Sequence, residues 1–349
     1  FSGTFEAFFD GTDWSERDPE QPFFAHVHFH ETHRTFEHDP EHPIEPEDVE
    51  IPPYYPDHHI TRLDWALYLE TTQILDKKVG RILQRLEDEG LDDDTVVFFT
   101  GDHGRPMVRG KQWLYEGGIH IPLIVRWPGE LEAGTIREDL VSAIDLAPTW
   151  MGVAGIKPPD YLQGRDFLAR DPVARKYIFA SRDRCDETDD RIRCVRSKRY
   201  KYIRNFYPER PYTYFNAYKK HQYPVLTLLE VLNTRGELTP EEAQFMAELR
   251  PVEELYDLQN DPHEVRTLAD EPAYQETLKE FRNELDNWIC RTEDQGQIPE
   301  DPEIAAQWDR QMAEYFRENM TGKGLSPDIS DEKYLQWWEN RLIAMQMGV

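Results

Sequence analysis

Cysteine is scarce in this chain of 349 residues, which has only Cys185, Cys194 and Cys290. The number is odd and the spacing fits no metal motif, so no disulfide framework is implied. Long apolar runs are missing too. None reaches the roughly 18 residues of a membrane-spanning helix, so no membrane partner is expected. Positive charge is in deficit, with 40 Lys plus Arg against 68 Asp plus Glu and a net charge of −28. That balance argues against nucleic acid or an anionic membrane surface as the general partner. It also makes any locally basic stretch informative. The chain has no internal repeat and no low-complexity tract, and it opens on Phe1-Ser2-Gly3 without a Met or a signal-like apolar region. That start reads as cut or processed.

What is present is organised around Thr100-Gly101-Asp102-His103-Gly104. Just before it, Thr95–Phe99 is β-branched and aromatic and reads as a fully buried strand. Asp102 and His103 would then lie at the strand's carboxyl end, where open α/β sheets place their ligand sites. A carboxylate beside an imidazole offers two ligands to a divalent cation. Arg105, Arg109 and Lys111 follow, so three cations are expected on the same rim, suited to holding an anionic ester. Asp-His-Gly alone would read as a turn; the longer run carries the functional reading.

Upstream, Pro22–His30 reads as a strand, followed by Glu31-Thr32-His33-Arg34. Six histidines fall between positions 26 and 42, but His26, His28 and His30 share one strand face, with no carboxylate fixed nearby. A zinc cluster is therefore the weaker reading. Residues 35–59 form an irregular loop. Leu63, Leu67, Ile74, Val79, Ile82, Leu83 and Leu86 space out a long amphipathic helix over 60–89, stopped by Gly90. Asp92-Asp93-Asp94 is a solvated cap, Ile121–Trp127 a second buried strand, and 144–154 a short helix. This alternation predicts a parallel α/β sheet. Composition shifts over 156–175, and short strands at 177–181, 192–195 and 200–203 predict an antiparallel sheet in a second unit. Helices are expected near 273–288, 302–319 and 331–346. Trp337, Trp338 and Leu342 should make an apolar face that docks on the body.

The run FFTGDHGRPMVRGKQWLYEGGIHIPLIVRWPG resembles the C-terminal metal-binding signature of the type I, formylglycine-dependent sulfatases of the alkaline phosphatase superfamily. The likeness extends from Pro22 to about Trp288, through HETHR, DRCDETDDRIRCVRSKRYKYIRN and VEELYDLQNDPHE, which are closest in look to heparan N-sulfatase-like members. The resemblance implies an alkaline-phosphatase-like sheet sandwiched by helices over residues 1–160, and a smaller α+β subdomain on an antiparallel sheet over 161–349. It implies hydrolysis of a sulfate ester or sulfamate by a formylglycine nucleophile assisted by Ca2+. It assigns Asp102 and His103 to the metal, and Lys111 and His33 to the sulfate group. Thr32 stands where the family has Pro, His103 where many members have Asn, and His120 where Arg is common. Family members occupy periplasmic, secreted or lysosomal compartments.

One departure is large. None of the cysteines lies in the family's C/S-x-P/A-x-R motif, and its paired Asp-Asp ligands and Lys-x-His segment are absent from these residues. In the family all of these precede the position of His33. The expectation is a chain lacking an N-terminal sulfatase segment, inactive alone and exposing apolar sheet edge. Two alternatives remain open, a phosphodiester or phosphonate monoester hydrolase of the same superfamily and a non-catalytic carbohydrate-binding remnant. For substrate, Arg191 to Arg204 carries seven cations in 14 residues interleaved with Tyr200 and Tyr202. Against the acidic average, this hairpin is expected to bind a sulfated glycan through Arg193 and Arg196. Asp186 and Glu187 are candidates for sugar hydroxyls or an amine.

Overall fold

The computed structural model describes residues 9–348; of the polar opening segment, residues 1–8 lie outside that range. Helix α1 (His59–Asp88) begins where His58 Nδ1 accepts the Ile60 amide at 3.1 Å. Its first half buries Ile60, Leu63, Trp65 and Leu67, each contributing about 1.5–3 kcal/mol by leaving water. Only Leu86 of its second half is buried, although the apolar spacing continues. Gly90 stops it with φ +65°, the left-handed conformation that glycine adopts at little steric cost.

Strands β1 (Val97–Thr100) and β2 (Leu123–Arg126) flank the signature, with helix α2 (Glu116–Ile119) between them. They correct the sequence reading twice. They pair antiparallel, Val97 opposite Arg126 and Thr100 opposite Leu123, not in parallel. The connection between them holds only the 4-residue α2 in an irregular loop that doubles back, with no long helix packed across the strands to carry a parallel crossover. Nor is either strand fully buried: β1 is half-buried and Ile124 is 63% exposed. Pro22–His30 is likewise no strand. It runs without a ladder partner among the described residues, leaving Phe24 64% exposed. An apolar run becomes a strand only when another strand takes its hydrogen bonds.

Helix α3 (Leu146–Val153) closes this part, and 156–175 has no regular structure. Strands β3 (Ile178–Cys185), β4 (Thr188–Arg196), β5 (Tyr200–Asn205) and β6 (Glu253–Asp257) form an antiparallel sheet in sequential order. Between β5 and β6 lie α4 (Ala217–Gln222), α5 (Pro224–Arg235) and α6 (Pro240–Ala243). Helix α7 (Gln275–Arg291) packs Leu278, Phe281 and Leu285 on Val195, Tyr202 and Leu255. Helices α8 (Pro302–Gly322) and α9 (Asp331–Gln346) complete the chain. As expected, α9 docks: Trp338 and Leu342 are buried. The largest core draws from both halves of the chain, joining Leu63, Leu67, Trp113 and Tyr115 to Ile192, Leu228, Tyr256 and Leu342.

Helix α4 is held by this terminal hairpin. His221 Nε2 and Tyr315 Oη share a hydrogen bond of 2.7 Å, and the His221 carbonyl accepts from Lys323 Nζ and Tyr334 Oη. Burial and the neighbouring Lys323 push His221 down from 6.5 to about 4. As pH falls, the unfolded chain protonates first, so stability is lost between about pH 6.5 and 4. Urea melts of the full-length protein across that interval should show the loss, and His221→Gln should flatten it. An equal slope in the variant would remove His221 from the account.

Candidate active site

His33 is set in place by its neighbour. Arg34 turns into the core, where its guanidinium bonds both Asp64 oxygens of α1 at 2.7 and 2.6 Å. It lies between the Phe36 and Tyr223 rings, at 4.2 and 4.6 Å. Its Nε also donates to the Pro106 carbonyl at 2.8 Å. The buried ion pair therefore joins the His33 loop, α1 and the loop after Asp102-His103.

His33 Nδ1 donates to the Arg34 carbonyl at 2.7 Å, which leaves Nε2 as an acceptor 3.4 Å from Tyr218 Oη on α4. The Lys111 ammonium lies 5.4 Å from the centre of the same tyrosine ring and has no carboxylate partner among the described residues. Burial, with the positive fields of Lys111, His30 and His103, holds His33 below its ordinary 6.5. The structure thus brings His33, Lys111 and His103 to one place from distant parts of the sequence.

At the end of β1, Asp102 Oδ1 accepts the His103 amide at 2.9 Å, and its carboxylate is 86% exposed. His103 Nδ1 donates to the Gly104 carbonyl at 2.7 Å, so Nε2 keeps its lone pair, 3.4 Å from Asp102 Oδ2. A backbone bond that fixes the imidazole tautomer beside a solvated carboxylate is how a metal-binding histidine is prepared. The donor set therefore fits a divalent cation, to which Asp102 and His103 would each offer one ligand. Among the described residues the one group of three potential ligands is Asp39, Glu41 and His42. There Lys77 Nζ already lies 2.9 and 2.9 Å from Asp39 and 2.7 Å from Glu41.

Close backbone contact shapes the signature loop. The Gly104 amide donates to the Gly118 carbonyl at 2.9 Å, and a Cβ on Gly104 would meet the Gly117 oxygen at 2.2 Å. Glu116 is gripped from the other half of the chain. Glu264 Oε2 accepts its amide at 2.6 Å, and Lys201 Nζ bridges Glu116 and Glu264 at 2.6 and 2.8 Å. Burial opposes ionisation of Glu116, yet Lys201 and Arg196 bring it down to about 2.

Several expected contacts are corrected. Arg109 is 3% exposed, its guanidinium between Tyr54 and Tyr115 and bonded to the Glu264 carbonyl. Arg105 is half-buried against Trp65 and donates to Tyr54 Oη at 3.2 Å. Lys111 is thus the rim cation of the three. Arg193 is wholly buried, bonding Asp294 at 2.8 and 2.8 Å and Asp183 at 2.8 Å. Arg196 pairs with Glu116 at 3.0 Å, Arg199 with Asp257 at 2.6 Å and Arg204 with Asp286 at 2.6 Å. Five of the hairpin's seven cations, Arg193, Arg196, Arg199, Lys201 and Arg204, are scaffold, because they neutralise carboxylates from α2, β3, β6, α7 and neighbouring turns. Asp186 and Glu187 form the two-residue turn between β3 and β4. Glu187 caps α4 by accepting the Ala217 amide at 2.6 Å, and Asn216 donates to Asp186 at 3.4 Å. That turn borders the site, since the Asp186 charge reaches Tyr218 and Lys219.

Sequence reasoning missed Arg34, Tyr218, Lys219 and the Glu116–Lys201–Glu264 group. Arg34 and Glu264 stood inside quoted motifs, HETHR and DPHE, without an assigned role. Tyr218 and Lys219 carried no local signal.

The Sulfatase family model matches residues 5–156, and the model for N-sulphoglucosamine sulphohydrolase, C-terminal, matches 101–225. The chain belongs to the sulfatase family. An ulvan-active sulfatase of Formosa agariphila is 42% identical over 260 residues, covering 74% of this chain and 43% of that protein. Human N-sulphoglucosamine sulphohydrolase is 28% identical over 319 residues, covering 79% and 62%. A solved structure of a 2-O GAG sulfatase superposes with a TM-score of 0.52 at 22% identity, covering 75% of this chain and 54% of that one. The fold is thus the alkaline-phosphatase-like α/β architecture with a smaller part built on an antiparallel sheet. The chain spans less than two thirds of the length of each of these relatives.

Proposed function

We propose that this sulfatase-family chain is part of an enzyme that hydrolyses sulfate ester or sulfamate groups on a sulfated glycan, with residues 1–160 in its catalytic α/β domain and 161–349 in the smaller subdomain. The observation that carries the reading is the convergence of His33, Lys111 and His103 at the end of β1, with Asp102 at the adjoining position. Support for the substrate class comes from the relatives, named for ulvan and for N-sulphoglucosamine.

In this reading Lys111, which has no carboxylate partner among the described residues, holds a sulfate oxygen as a point charge. His33 faces the leaving group through Nε2. Burial and the positive fields of Lys111, His30 and His103 lower His33, and substrate sulfate would offset those fields, favouring a proton on His33 as substrate binds. It then passes that proton to the oxygen or nitrogen released when the bond to sulfur breaks. Asp102 and His103 would hold the divalent cation, Ca2+ by family resemblance. When bound, that ion withdraws charge from the sulfate oxygens. The nucleophile, a formylglycine in the family, would come from a segment outside residues 1–349. Exposed Phe24, at 64%, and Ile124, at 63%, suit a sheet that such a segment completes.

Lys111→Ala in the full-length protein should lower kcat/KM more than about tenfold, the value of a charged hydrogen bond or more. His33→Ala should lower kcat with a shift in its pH profile. Near-native turnover by both variants would make the two residues structural. Residues 1–349 alone should release no sulfate from a sulfated oligosaccharide, and ion chromatography can read the result. Metal-dependent release would mean the nucleophile is already in this chain.

A further inference from the structure

Next to the Lys111 rim, under the β3–β4 turn, lies a small cavity whose walls hold two cations and no carboxylate. Arg182 and Lys219 both rest on the Trp113 ring, their charged groups 4.3 and 5.3 Å from its centre. They are 7% and 8% exposed. Carboxylates reach them only from outside the cavity, Asp186 acting on Lys219 and Asp190 lying toward Arg182. Lys219 forms no ion pair among the described residues. The carboxylate nearest Arg182, on Asp190, is 3.7 Å away and is already bonded by both terminal nitrogens of Arg250 at 2.8 and 3.0 Å. Arg182 Nε and Nη1 have no hydrogen-bond acceptor, and neither Nε2 nor Oε1 of Gln112 has a partner, although all four atoms are buried. Asn216 and Thr188 complete the polar lining. Asn216 already donates toward Asp186 and Glu187, whereas Thr188 Oγ1 donates to the Cys185 carbonyl.

Two buried basic groups, with idle donors beside them, line one cavity, and buried positive charge is costly without compensation. The cavity is about 20 Å3, room for one occupant of water size. A saccharide or a whole sulfate group is too large for it. We propose that this cavity is a site for one small inorganic anion of chloride size, bound by Lys219 Nζ, the Arg182 guanidinium and Gln112 Nε2.

Gln112 follows Lys111 directly in the chain, and Lys219 follows Tyr218, the residue that touches His33. The anion would therefore brace the backbone beneath the sulfate-facing pair. Burial, and after it the fields of Arg182 and Lys111, hold Lys219 well below the ordinary lysine range, and a bound anion would offset that. This site is separate from the proposed sulfate position and does not depend on turnover.

The experiment is thermal unfolding of the full-length protein in sodium chloride and in sodium gluconate at equal ionic strength, with no substrate. Chloride should raise the melting temperature by several degrees through preferential binding to the folded state. In Lys219→Met the chloride dependence should vanish, and in gluconate the variant should melt above the wild type, because a buried charge has been removed. Crystals grown in sodium bromide should give an anomalous peak within hydrogen-bond reach of Lys219 Nζ and Gln112 Nε2. The proposal is overturned if wild-type melting is equal in the two salts, or if chloride dependence persists in Lys219→Met. It is overturned equally if the bromide peak is absent from this cavity. Sulfatase activity can stand or fall without changing any of these results.

Discussion

Asp102→Ala in the full-length protein should lose its bound divalent cation and lower kcat/KM by about 100-fold or more, while melting within a degree or two of wild type. The contrast follows from where the carboxylate sits. It is 86% exposed and makes one local bond, to the His103 amide. Removing an exposed side chain of that kind changes stability by only about 0.5–1 kcal/mol. A cation that stabilises charge on a reacting oxyanion is worth several kcal/mol, and each 1.36 kcal/mol is about tenfold in rate. Metal content by mass spectrometry separates the readings. A capped turn predicts unchanged metal and a slight loss of stability, whereas the metal site predicts the reverse. Asp102→Asn is an informative companion, since it keeps an acceptor for the His103 amide and removes the charge. Full metal occupancy in both variants would sink the assignment.

Lys201→Met should be the most destabilising single substitution considered, by about 3–5 kcal/mol. Lys201 is fully buried, and its ammonium bridges Glu116 of the signature loop and Glu264 of the Asp261-Pro262-His263-Glu264 turn. Without it Glu264, 2% exposed, keeps its charge inside the protein with no cation on its carboxylate. Burial already raises the Glu264 carboxyl above its usual range, so the variant should take up a proton there on folding. Arg196 remains on Glu116 at 3.0 Å and limits the damage on that side. Glu264→Leu added to Lys201→Met should recover part of the loss, because the orphaned charge is gone. The Glu116 amide loses its acceptor, however, so recovery stays incomplete. Denaturant melts of the single and double variants give the coupling. Additive losses would mean that the bridge contributes little. Activity should suffer as well, because the loop that Glu264 grips passes through Gly118 to Gly104, next to His103.

Much of this was legible in the sequence, and the reason differs from element to element. Helix α1 was read to within a residue or two, because its apolar positions recur at helical spacing and Gly90 ends them. Strands β3, β4 and β5 of the antiparallel sheet were recognisable because they are short, rich in β-branched and aromatic residues and separated by close turns, whereas β6, reached only after α4, α5 and α6, was not read as a strand. Asp102, His103, Lys111 and His33 were picked out by motifs whose chemistry needs those residue types.

The strand at Pro22–His30 and the parallel sheet were not borne out, because an apolar run says nothing about which neighbour accepts its hydrogen bonds. Nor could the sequence sort its own cations. Seven between Arg191 and Arg204 looked like a glycan surface, yet Asp183, Asp257, Asp286, Asp294 and Glu116 arrive from other elements and take most of their charge. Arg105 and Arg109 turned inward for the same reason, since Trp65, Tyr54 and Tyr115 offer them ring faces. The sequence by itself determined the family, helices α1, α3, α7, α8 and α9 and the residues able to do chemistry, all of which follow from local pattern and residue type. Only the tertiary structure decided which charges stay free to meet a substrate, because whether a cation is neutralised depends on carboxylates and rings that lie far away along the chain.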